Sequence, residues 1–217
     1  ECQQLLLPSP FDYESQALLC VPDNLPFPNE PQFSKKLCDA VWPLLQASEG
    51  GVFFLCTSHR AVKQVGEYLR ERIEKDELDW SLLVQGEASR QALLQLHGEN
   101  CRHDRTSILF GTQSFSEGLD LPGKLLTNLV ITKLPFAVPT SPLEEALAEA
   151  ISRKGGNAFV QLTIPATAKK LVQACGRLLR QEQDEGRIII LDRRLVTKSY
   201  GQAMLNALPP FRRQIEY

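Results

Sequence analysis

Arg177 and Arg180 are the side chains of this sequence best suited to chemistry on a phosphate. Gln173 precedes them, and intervals of four and three residues place all three on one stripe of a helix predicted at 166–181. Planar guanidinium groups bind phosphate oxygens through paired hydrogen bonds and stabilise the charge on a transferring phosphoryl group. The pattern therefore predicts that this stripe faces an anion.

Gly176 lies in the middle of this predicted helix, where glycine costs about 1 kcal/mol relative to alanine. A glycine at such a position lets another group approach the helix closely. The alternative is a solvated stripe whose arginines form ion pairs with the acidic residues that follow, Glu182, Asp184 and Glu185. The stripe is narrow and flanked by apolar residues, which favours the anion hypothesis.

The second candidate is the loop at 111–123, which follows a predicted strand and contains Glu117, Gly118 and Asp120. Ligands of open α/β sheets bind beyond the carboxyl ends of the strands. Asp120 can accept hydrogen bonds from ribose hydroxyls there, and Glu117 can order the loop or a water molecule. A solvated turn with a capping aspartate explains the same residues, so the loop alone leaves both interpretations open.

The third candidate is Thr57 with Ser58, directly after the apolar run at 52–56. Such an uninterrupted run is typical of a strand buried on both faces. Hydroxyl groups at its carboxyl end, together with the N-terminus of the next helix, can hold a phosphate. The alternative is that one hydroxyl simply caps that helix.

The elements that must position these residues alternate between strand and helix. Strands are predicted at 17–21, 52–56, 81–84, 107–111, 129–132, 159–164 and 187–191. Helices are predicted at 34–47 (with Ser34 as N-cap), 61–75, 90–97, 142–153, 166–181 and 198–208. This alternation predicts an α/β fold of three layers with a mostly parallel central sheet.

Two parts are expected along the chain, the second of them with an insertion. Residues 1–34 are rich in proline and predict an extended lead-in with one strand that joins the sheet. Residues 35–217 predict the main domain, with a small insertion at about 133–165.

Composition limits the classes of protein. A net charge of −2 lacks the basic excess of a dedicated duplex-DNA-binding module, so any nucleic-acid contact must be local and shared with another domain. No apolar run approaches the roughly 20 residues that span a bilayer, and no export signal is visible. The chain begins at Glu1 and has a single methionine, Met204, so we expect a piece of a longer protein.

The six cysteines contain no C-x-x-C pair, which argues against a zinc site. Reduced, buried thiols of a cytosolic protein are expected instead. The histidines, His59, His97 and His103, lie in sequence contexts typical of the surface.

Taken in their order along the chain, from Thr57 to Arg180, the three candidates resemble motifs IV, V and VI of superfamily 2 helicases. Ser114-Phe-Ser-Glu-Gly-Leu-Asp120 resembles the S-F-x-E-G-[IL]-D segment of motif V in XPD/DinG-type helicases. Gln173-Ala-Cys-Gly-Arg-Leu-Leu-Arg180 resembles the Q-x-x-G-R-x-[IL]-R of motif VI. Ser9-Pro-Phe-Asp-Tyr13 resembles the start of the second half of these proteins, and residues 192–201 resemble the end of the bacterial DinG branch. The resemblance covers essentially the whole chain.

The resemblance implies a RecA-like fold and a 5′→3′ DNA helicase that acts on forked, displaced or R-loop DNA in repair, in the bacterial cytoplasm. ATP would bind between two RecA-like domains. In this family the first domain supplies the P-loop, the Mg²⁺-binding acidic motif and the cysteines of a [4Fe–4S] cluster. This sequence has neither a P-loop nor the cluster pattern. ATP and Mg²⁺ are therefore expected to be shared with a missing N-terminal domain that also holds the cluster.

The resemblance also implies residue roles. Arg177 and Arg180 would be arginine fingers on ATP phosphates, and Gln173 would contact the γ-phosphate side. Asp120 would lie near the ribose, while Glu117 and Gly118 would shape a loop that couples ATP to DNA. Contact with the DNA backbone is implied for Thr57, Ser58, Gln113 and Ser114.

Two alternatives differ in class. A non-hydrolysing nucleic-acid-binding or regulatory RecA-like module keeps the fold, but has no use for Arg177 and Arg180. A self-contained small-molecule enzyme with a Rossmann-like sheet lacks its G-x-G-x-x-G and any nucleophile–histidine pair. Under the helicase hypothesis the chain by itself is expected to be inactive.

Overall fold

Seven strands form the centre of the molecule in the computed structural model, which describes residues 9–136 and 142–215. The strands are β1 (Ala17–Val21), β2 (Gly51–Cys56), β3 (Ser81–Val84), β4 (Ser107–Thr112), β5 (Asn128–Ile131), β6 (Gly186–Ile190) and β7 (Arg212–Ile215). They lie in the order β3-β4-β2-β5-β6-β1-β7, and each neighbouring pair is parallel. The sheet predicted as mostly parallel is parallel throughout its described strands.

The inner strands are covered on both faces. Every residue of β2, β4 and β5 is buried, and successive side chains of a strand point to opposite faces. Other elements must therefore pack on each side of the sheet, which gives the three-layer α/β architecture. The apolar run of β2 illustrates why the prediction succeeded, since a strand buried on both faces needs no polar alternation.

Helices occupy most of the connections. They are α1 (Tyr13–Gln16), α2 (Phe33–Gln46), α3 (His59–Lys75), α4 (Arg90–Arg102), α5 (Gln113–Ser116), α6 (Pro142–Arg153), α7 (Ile164–Cys175), α8 (Arg194–Thr197) and α9 (Gly201–Ala207). A 3₁₀ turn (Gly123–Leu125) and a π-helical turn (Phe159–Thr163) complete the description. Within the described ranges, none of these helices is both long and apolar enough to cross a bilayer.

The strand predicted near the start of the chain is present as β1, an inner strand between β6 and β7. Ala17 pairs with Gly186 on one side, and Leu18 pairs with Arg212 on the other. The edge strand β7 was not predicted, because its sequence is polar and most of its residues are exposed. The boundary between lead-in and main domain stays a prediction.

Helix α2 begins one residue earlier than Ser34, which is not its N-cap. Gln32 occupies that position with φ +57°, and its side chain makes no capping hydrogen bond. The left-handed conformation of Gln32 turns the chain into the helix. The hydroxyl of Ser34 lies 3.5 Å from Oε1 of Gln64, on α3.

The strand predicted at 159–164 is wrong, because this segment forms the π-helical turn that leads into α7. A short apolar run does not distinguish a strand from a helical segment. Pro165 lies in the first turn of α7, where a proline is tolerated. The segment links the neighbouring inner strands β5 and β6. The extent of the insertion at about 133–165 stays a prediction.

The helix predicted at 198–208 is present as α9 but spans only Gly201–Ala207, and the short helix α8 precedes it.

Candidate functional site

The helix that carries Gln173 ends before it reaches the two arginines. Helix α7 stops at Cys175, and Gly176 is its C-cap with φ −66° and ψ 0°. Gln173 is exposed on the last turn, while Arg177 and Arg180 lie in the segment that follows. The prediction of one shared helical stripe was therefore wrong. Glycine has a low helix propensity, and a side-chain carboxylate binds the main-chain N–H of Arg180 outside the helix.

Arg177 and Arg180 nevertheless meet, because both donate to one main-chain oxygen. Arg177 Nη1 lies 3.1 Å and Arg180 Nη2 lies 3.0 Å from the carbonyl oxygen of Leu119. Arg180 Nε lies 3.7 Å from Asp120 Oδ1, and the Asp120 side chain is 77% exposed. One exposed carboxylate offsets only part of the charge of two neighbouring cations. An anion placed against them would be stabilised.

A third arginine, Arg90, which the sequence did not single out, reaches the same loop. As the first residue of α4 it donates through Nη2 to the Glu117 carbonyl at 2.8 Å and through Nε to the Phe115 carbonyl at 3.3 Å. Burial lowers the pKa of Arg177, and the positive charges of Arg180 and Arg90 lower it further. The Glu117 carboxylate acts in the opposite direction and raises this pKa. We call Arg90, Arg177 and Arg180 the arginine cluster.

The loop under the arginine cluster is shaped by two glycines and anchored by two leucines. A Cβ on Gly111 would lie 2.5 Å from the Phe115 ring, so glycine is required where that ring packs. Gly118 has φ +67°, a left-handed conformation that glycine adopts without strain. Leu119 and Leu121 are 4% and 6% exposed. Their burial fixes the Leu119 carbonyl that the arginines share.

Asp184 ties this loop to the segment after α7. Its Oδ1 accepts a hydrogen bond from the main-chain N–H of Gly123 at 2.9 Å. Its Oδ2 accepts from the main-chain N–H groups of Arg180 and Gln181 at 2.7 and 2.8 Å. Asp184 is 3% exposed. The sequence suggested this residue only as an ion-pair partner for the arginines, whereas its carboxylate binds main-chain groups on both sides of the cluster.

His97 holds the far end of the same loop. Its Nδ1 lies 2.9 Å from Ser107 Oγ and its Nε2 lies 2.8 Å from the Leu125 carbonyl oxygen. The residue is 0% exposed, and burial lowers the pKa of its imidazole. The prediction that His97 lies at the surface was wrong, because the face of α4 that carries it packs against the loop and β4. His59 and His103 are exposed as expected.

A pocket of about 150 Å³ lies beyond the carboxyl ends of β2 and β5. Its polar lining consists of Thr57, Gln113, Lys133 and Lys170, and the ring of Phe136 forms part of its wall. We call these five residues the carboxyl-end pocket. The structure thus brings together two of the four residues predicted to contact DNA, and adds two lysines that the sequence did not single out.

Ser58 and Ser114 are placed differently. Ser58 Oγ accepts the main-chain N–H of Ala61 at 3.2 Å, so it is the N-cap of α3, as the simpler alternative held. Thr57 and Ser58 also line a neighbouring pocket of about 540 Å³. Ser114 is exposed, and its Oγ lies 3.0 Å from Thr112 Oγ1.

The described residues do not fit a metal centre. No group of three or more His, Cys, Asp or Glu side chains in 9–136 and 142–215 could hold a metal ion. The free thiols of this part of the chain are all buried, at Cys20, Cys38, Cys56, Cys101 and Cys175. Burial raises the pKa of Cys175 to about 12, which disfavours the thiolate that metals bind. Cys2 lies outside the described residues.

The chain is similar to known helicases. The family described as the helicase C-terminal domain matches residues 41–211. The ATP-dependent DNA helicase DinG of Photobacterium profundum is 49% identical over 213 residues, 98% of this chain and 30% of that protein. The ATP-dependent DNA helicase YoaA of Escherichia coli is 39% identical over 97% of this chain and 32% of that protein. The chain therefore spans about 30% of the length of these curated relatives.

Solved structures share the fold. An apo structure of XPD aligns with a TM-score of 0.62 at 16% identity, covering 95% of this chain and 40% of that one. Domain 2 of the DEAD-box helicase Mss116p, solved with an RNA duplex, aligns with a TM-score of 0.51 at 10% identity, covering 93% and 64%. At these identities the likeness shows the fold alone, an α/β domain of the RecA-like helicase type.

Proposed function

The chain belongs to the helicase C-terminal domain family, and on that premise we propose that it is the second motor domain of an ATP-dependent 5′→3′ DNA helicase. Its relatives DinG and YoaA are named ATP-dependent DNA helicases. The chain would supply arginine fingers and part of the single-stranded DNA track. Forks and R-loops in DNA repair, in the bacterial cytoplasm, are the proposed setting.

The arginine cluster supports a nucleotide-facing role. Arg177 and Arg180 are fixed on one carbonyl oxygen and keep further N–H donors for a phosphate. A planar guanidinium group that is held in place before the reaction stabilises the developing charge without having to reorganise. In this proposal Asp120 lies near the ribose, and Gln173 approaches the γ-phosphate side from the last turn of α7.

The observation that carries the proposal is the path of one short segment between the two sites. Gln113 lines the carboxyl-end pocket, and a few residues later the Leu119 carbonyl receives both arginines. Glu117 and Gly118 lie between them. A change of phosphate occupancy at the arginines would therefore reach a DNA-contacting residue through a single anchored loop.

We infer the motor cycle from this geometry. ATP held by the N-terminal helicase domain draws the arginine cluster across a cleft, because the closed form gains phosphate contacts that the open form lacks. Hydrolysis removes this difference and the cleft opens. The carboxyl-end pocket, with Thr57 and Gln113, grips the strand with alternating strength. Ser58 and Ser114 would add backbone contacts at its margin.

The cofactors divide between the two domains in this proposal. Mg²⁺ would neutralise phosphate charge, and its ligands would come from the N-terminal domain. A [4Fe–4S] cluster would also lie there, since the described thiols of this chain are buried and belong to no group of three or more side chains that could hold a metal ion. The chain by itself is expected neither to hydrolyse ATP nor to bind it tightly.

The test is ATP turnover by the full-length protein that contains this chain, with and without single-stranded DNA. DNA is expected to stimulate turnover, and Arg180→Ala is expected to lower it by about 10³–10⁵-fold, as loss of an arginine finger does. The control is Arg153→Ala, which removes an exposed arginine of α6 that pairs with Glu149. Turnover that survives Arg180→Ala would show that Arg180 is not an arginine finger, and a wild-type protein without turnover would favour a non-hydrolysing nucleic-acid-binding module.

A further inference from the structure

Three aromatic rings from three elements meet beside the carboxyl-end pocket. Phe136 follows β5, Phe159 opens the π-helical turn, and Tyr200 precedes α9. Phe136 and Phe159 are stacked with ring centroids 5.7 Å apart and planes at 26°. Tyr200 meets both rings edge-on, at 5.7 Å from Phe136 and 5.5 Å from Phe159. We call these residues the aromatic triad.

The triad is not closed over by the rest of the described chain. Phe159 is 42% exposed, and its neighbour Val160 is 53% exposed. Phe136 is only partly buried and is at the same time a wall of the carboxyl-end pocket. A large ring fixed by two aromatic neighbours yet open to solvent is preorganised for a flat partner. The π-helical turn that presents Phe159 is a rare conformation that is frequently found at functional sites.

The charge around the triad favours an anionic partner. The guanidinium carbon of Arg194 lies 5.0 Å from the centre of the Phe136 ring. Asp192 is 0% exposed and binds Arg194 at 2.6 Å, so this ion pair is close to neutral and presents no free carboxylate to solvent. Lys133 and Lys170 line the pocket that Phe136 shares. Cations beside an open aromatic face are the combination that binds single-stranded nucleic acids.

We propose that the aromatic triad is a stacking site for one base of single-stranded DNA, with Phe159 as the platform. The inference rests on the proposed function, because it continues the strand that Thr57 and Gln113 contact. The phosphates would follow Lys133 and Lys170 through the carboxyl-end pocket, and the base would turn onto the exposed ring. Stacking of this kind is tolerant of sequence, since every base has an aromatic face.

The experiment measures binding of a short fluorescent oligothymidine to the full-length protein without nucleotide. Phe159→Ala is expected to weaken binding by about 5- to 150-fold, the range that base stacking on one aromatic ring supplies. Phe159→Trp is expected to retain binding, and the new indole fluorescence should be quenched by DNA. Val160→Ala is the matched control, since it shortens an exposed apolar side chain in the same turn without removing a ring.

Oligonucleotides with one abasic position separate stacking from a structural effect. Moving the abasic site along the strand should reveal one register at which wild-type binding falls by the same factor as with Phe159→Ala. On that oligonucleotide Phe159→Ala should cause no further loss. Equal losses for Phe159→Ala and Val160→Ala, or a loss that persists on the abasic strand, would overturn the stacking site.

Failure of this inference differs from failure of the proposed function. If the wild-type protein binds the strand and DNA stimulates turnover, but Phe159→Ala binds as the wild type does, only the stacking site is wrong. If the wild-type protein neither binds the strand nor responds to it, both the motor role and the stacking site are wrong. Capture of a protein segment on the triad, with unchanged DNA binding, would also contradict the inference.

Discussion

The arginine cluster and the carboxyl-end pocket lie at two ends of one loop, but different kinds of chemical groups hold their side chains in place. The guanidinium groups of the cluster are held mainly by main-chain carbonyl oxygens, at Phe115, Glu117 and Leu119. The buried carboxylate of Asp184 fixes the backbone on both sides. The cluster therefore has little freedom to rearrange.

The carboxyl-end pocket depends on side chains from several elements instead. Lys133 donates to the Pro28 carbonyl at 3.3 Å, and its ammonium lies 4.2 Å from the centre of the Phe33 ring. Lys170 projects from α7 and Thr57 is exposed. Long side chains on separate supports can adjust to a moving polymer. A phosphate at the point of reaction needs fixed donors, whereas a strand in motion needs adaptable ones.

The sharpest way to break this comparison is to loosen the cluster without touching its arginines. Asp184→Asn replaces one acceptor oxygen by a donor that faces main-chain N–H groups, so the bonds to Gly123 or to Arg180 are lost. ATP turnover by the full-length protein is expected to fall by about 10²-fold, the cost of slight misplacement at a reacting centre. Single-stranded DNA affinity should remain near the wild-type value.

Asp192→Asn is the control for Asp184→Asn. Asp192 is also buried, but its carboxylate pairs with the guanidinium group of Arg194, away from the arginine cluster. Both variants are expected to lower the melting temperature. If Asp192→Asn lowers ATP turnover as strongly as Asp184→Asn does at matched stability, the effect of Asp184→Asn comes from general destabilisation. The Asp184 carboxylate would then have no specific role in positioning the arginine cluster.

A smaller effect is expected at the pocket. Lys170→Ala removes one cation, so affinity for single-stranded DNA should fall a few-fold, and the slope of log affinity against log salt should decrease by about 1. ATP turnover at saturating DNA should not change, because the arginine cluster is intact. Equilibrium titrations over a range of salt concentrations measure the slope. Lys154→Ala, at an exposed turn, should alter neither quantity.

The smallest effect concerns the far anchor of the loop, His97. Burial lowers its pKa in the folded chain, so the unfolded chain binds more protons below the ordinary histidine pKa of about 6.5. The stability that neutral His97 contributes is thus present above that pH and lost as pH falls. His97→Gln should flatten the decline of melting temperature between about pH 7 and pH 5 by a few degrees.

His103→Gln serves as the exposed control for that measurement, since His103 lies just beyond the end of α4. Its profile should follow the wild type. A His97→Gln profile as steep as that of the wild type would show that other groups cause the acid sensitivity.

Much of the fold could be predicted from local patterns in the sequence. The apolar run of β2 predicted a strand buried on both faces, and the alternation of strands with helices predicted the α/β fold. The resemblance of the segments around Arg177, Arg180 and Asp120 to helicase motifs implied that these side chains share a site. Their guanidinium and carboxylate groups do lie together. The roles assigned to them in catalysis stay predictions.

Other features were invisible to local pattern because distant residues make them. Asp184 binds Gly123 across a separation of 61 residues, and it competes with the helix for the N–H of Arg180. That competition, with Gly176, ends α7 early and moves both arginines off the helix. The aromatic triad likewise joins rings from three elements, one of them on a segment whose apolar run predicted a strand.

The sequence by itself determined the periodicities that form strands and helices, and the residue types capable of binding phosphate. Those properties depend on near neighbours along the chain. Only the tertiary structure decided where α7 stops, which carbonyl both arginines share, and which lysines and rings surround Thr57 and Gln113. Hydrogen bonds and ring contacts depend on positions in space, and the fold sets these by bringing together residues far apart in the chain.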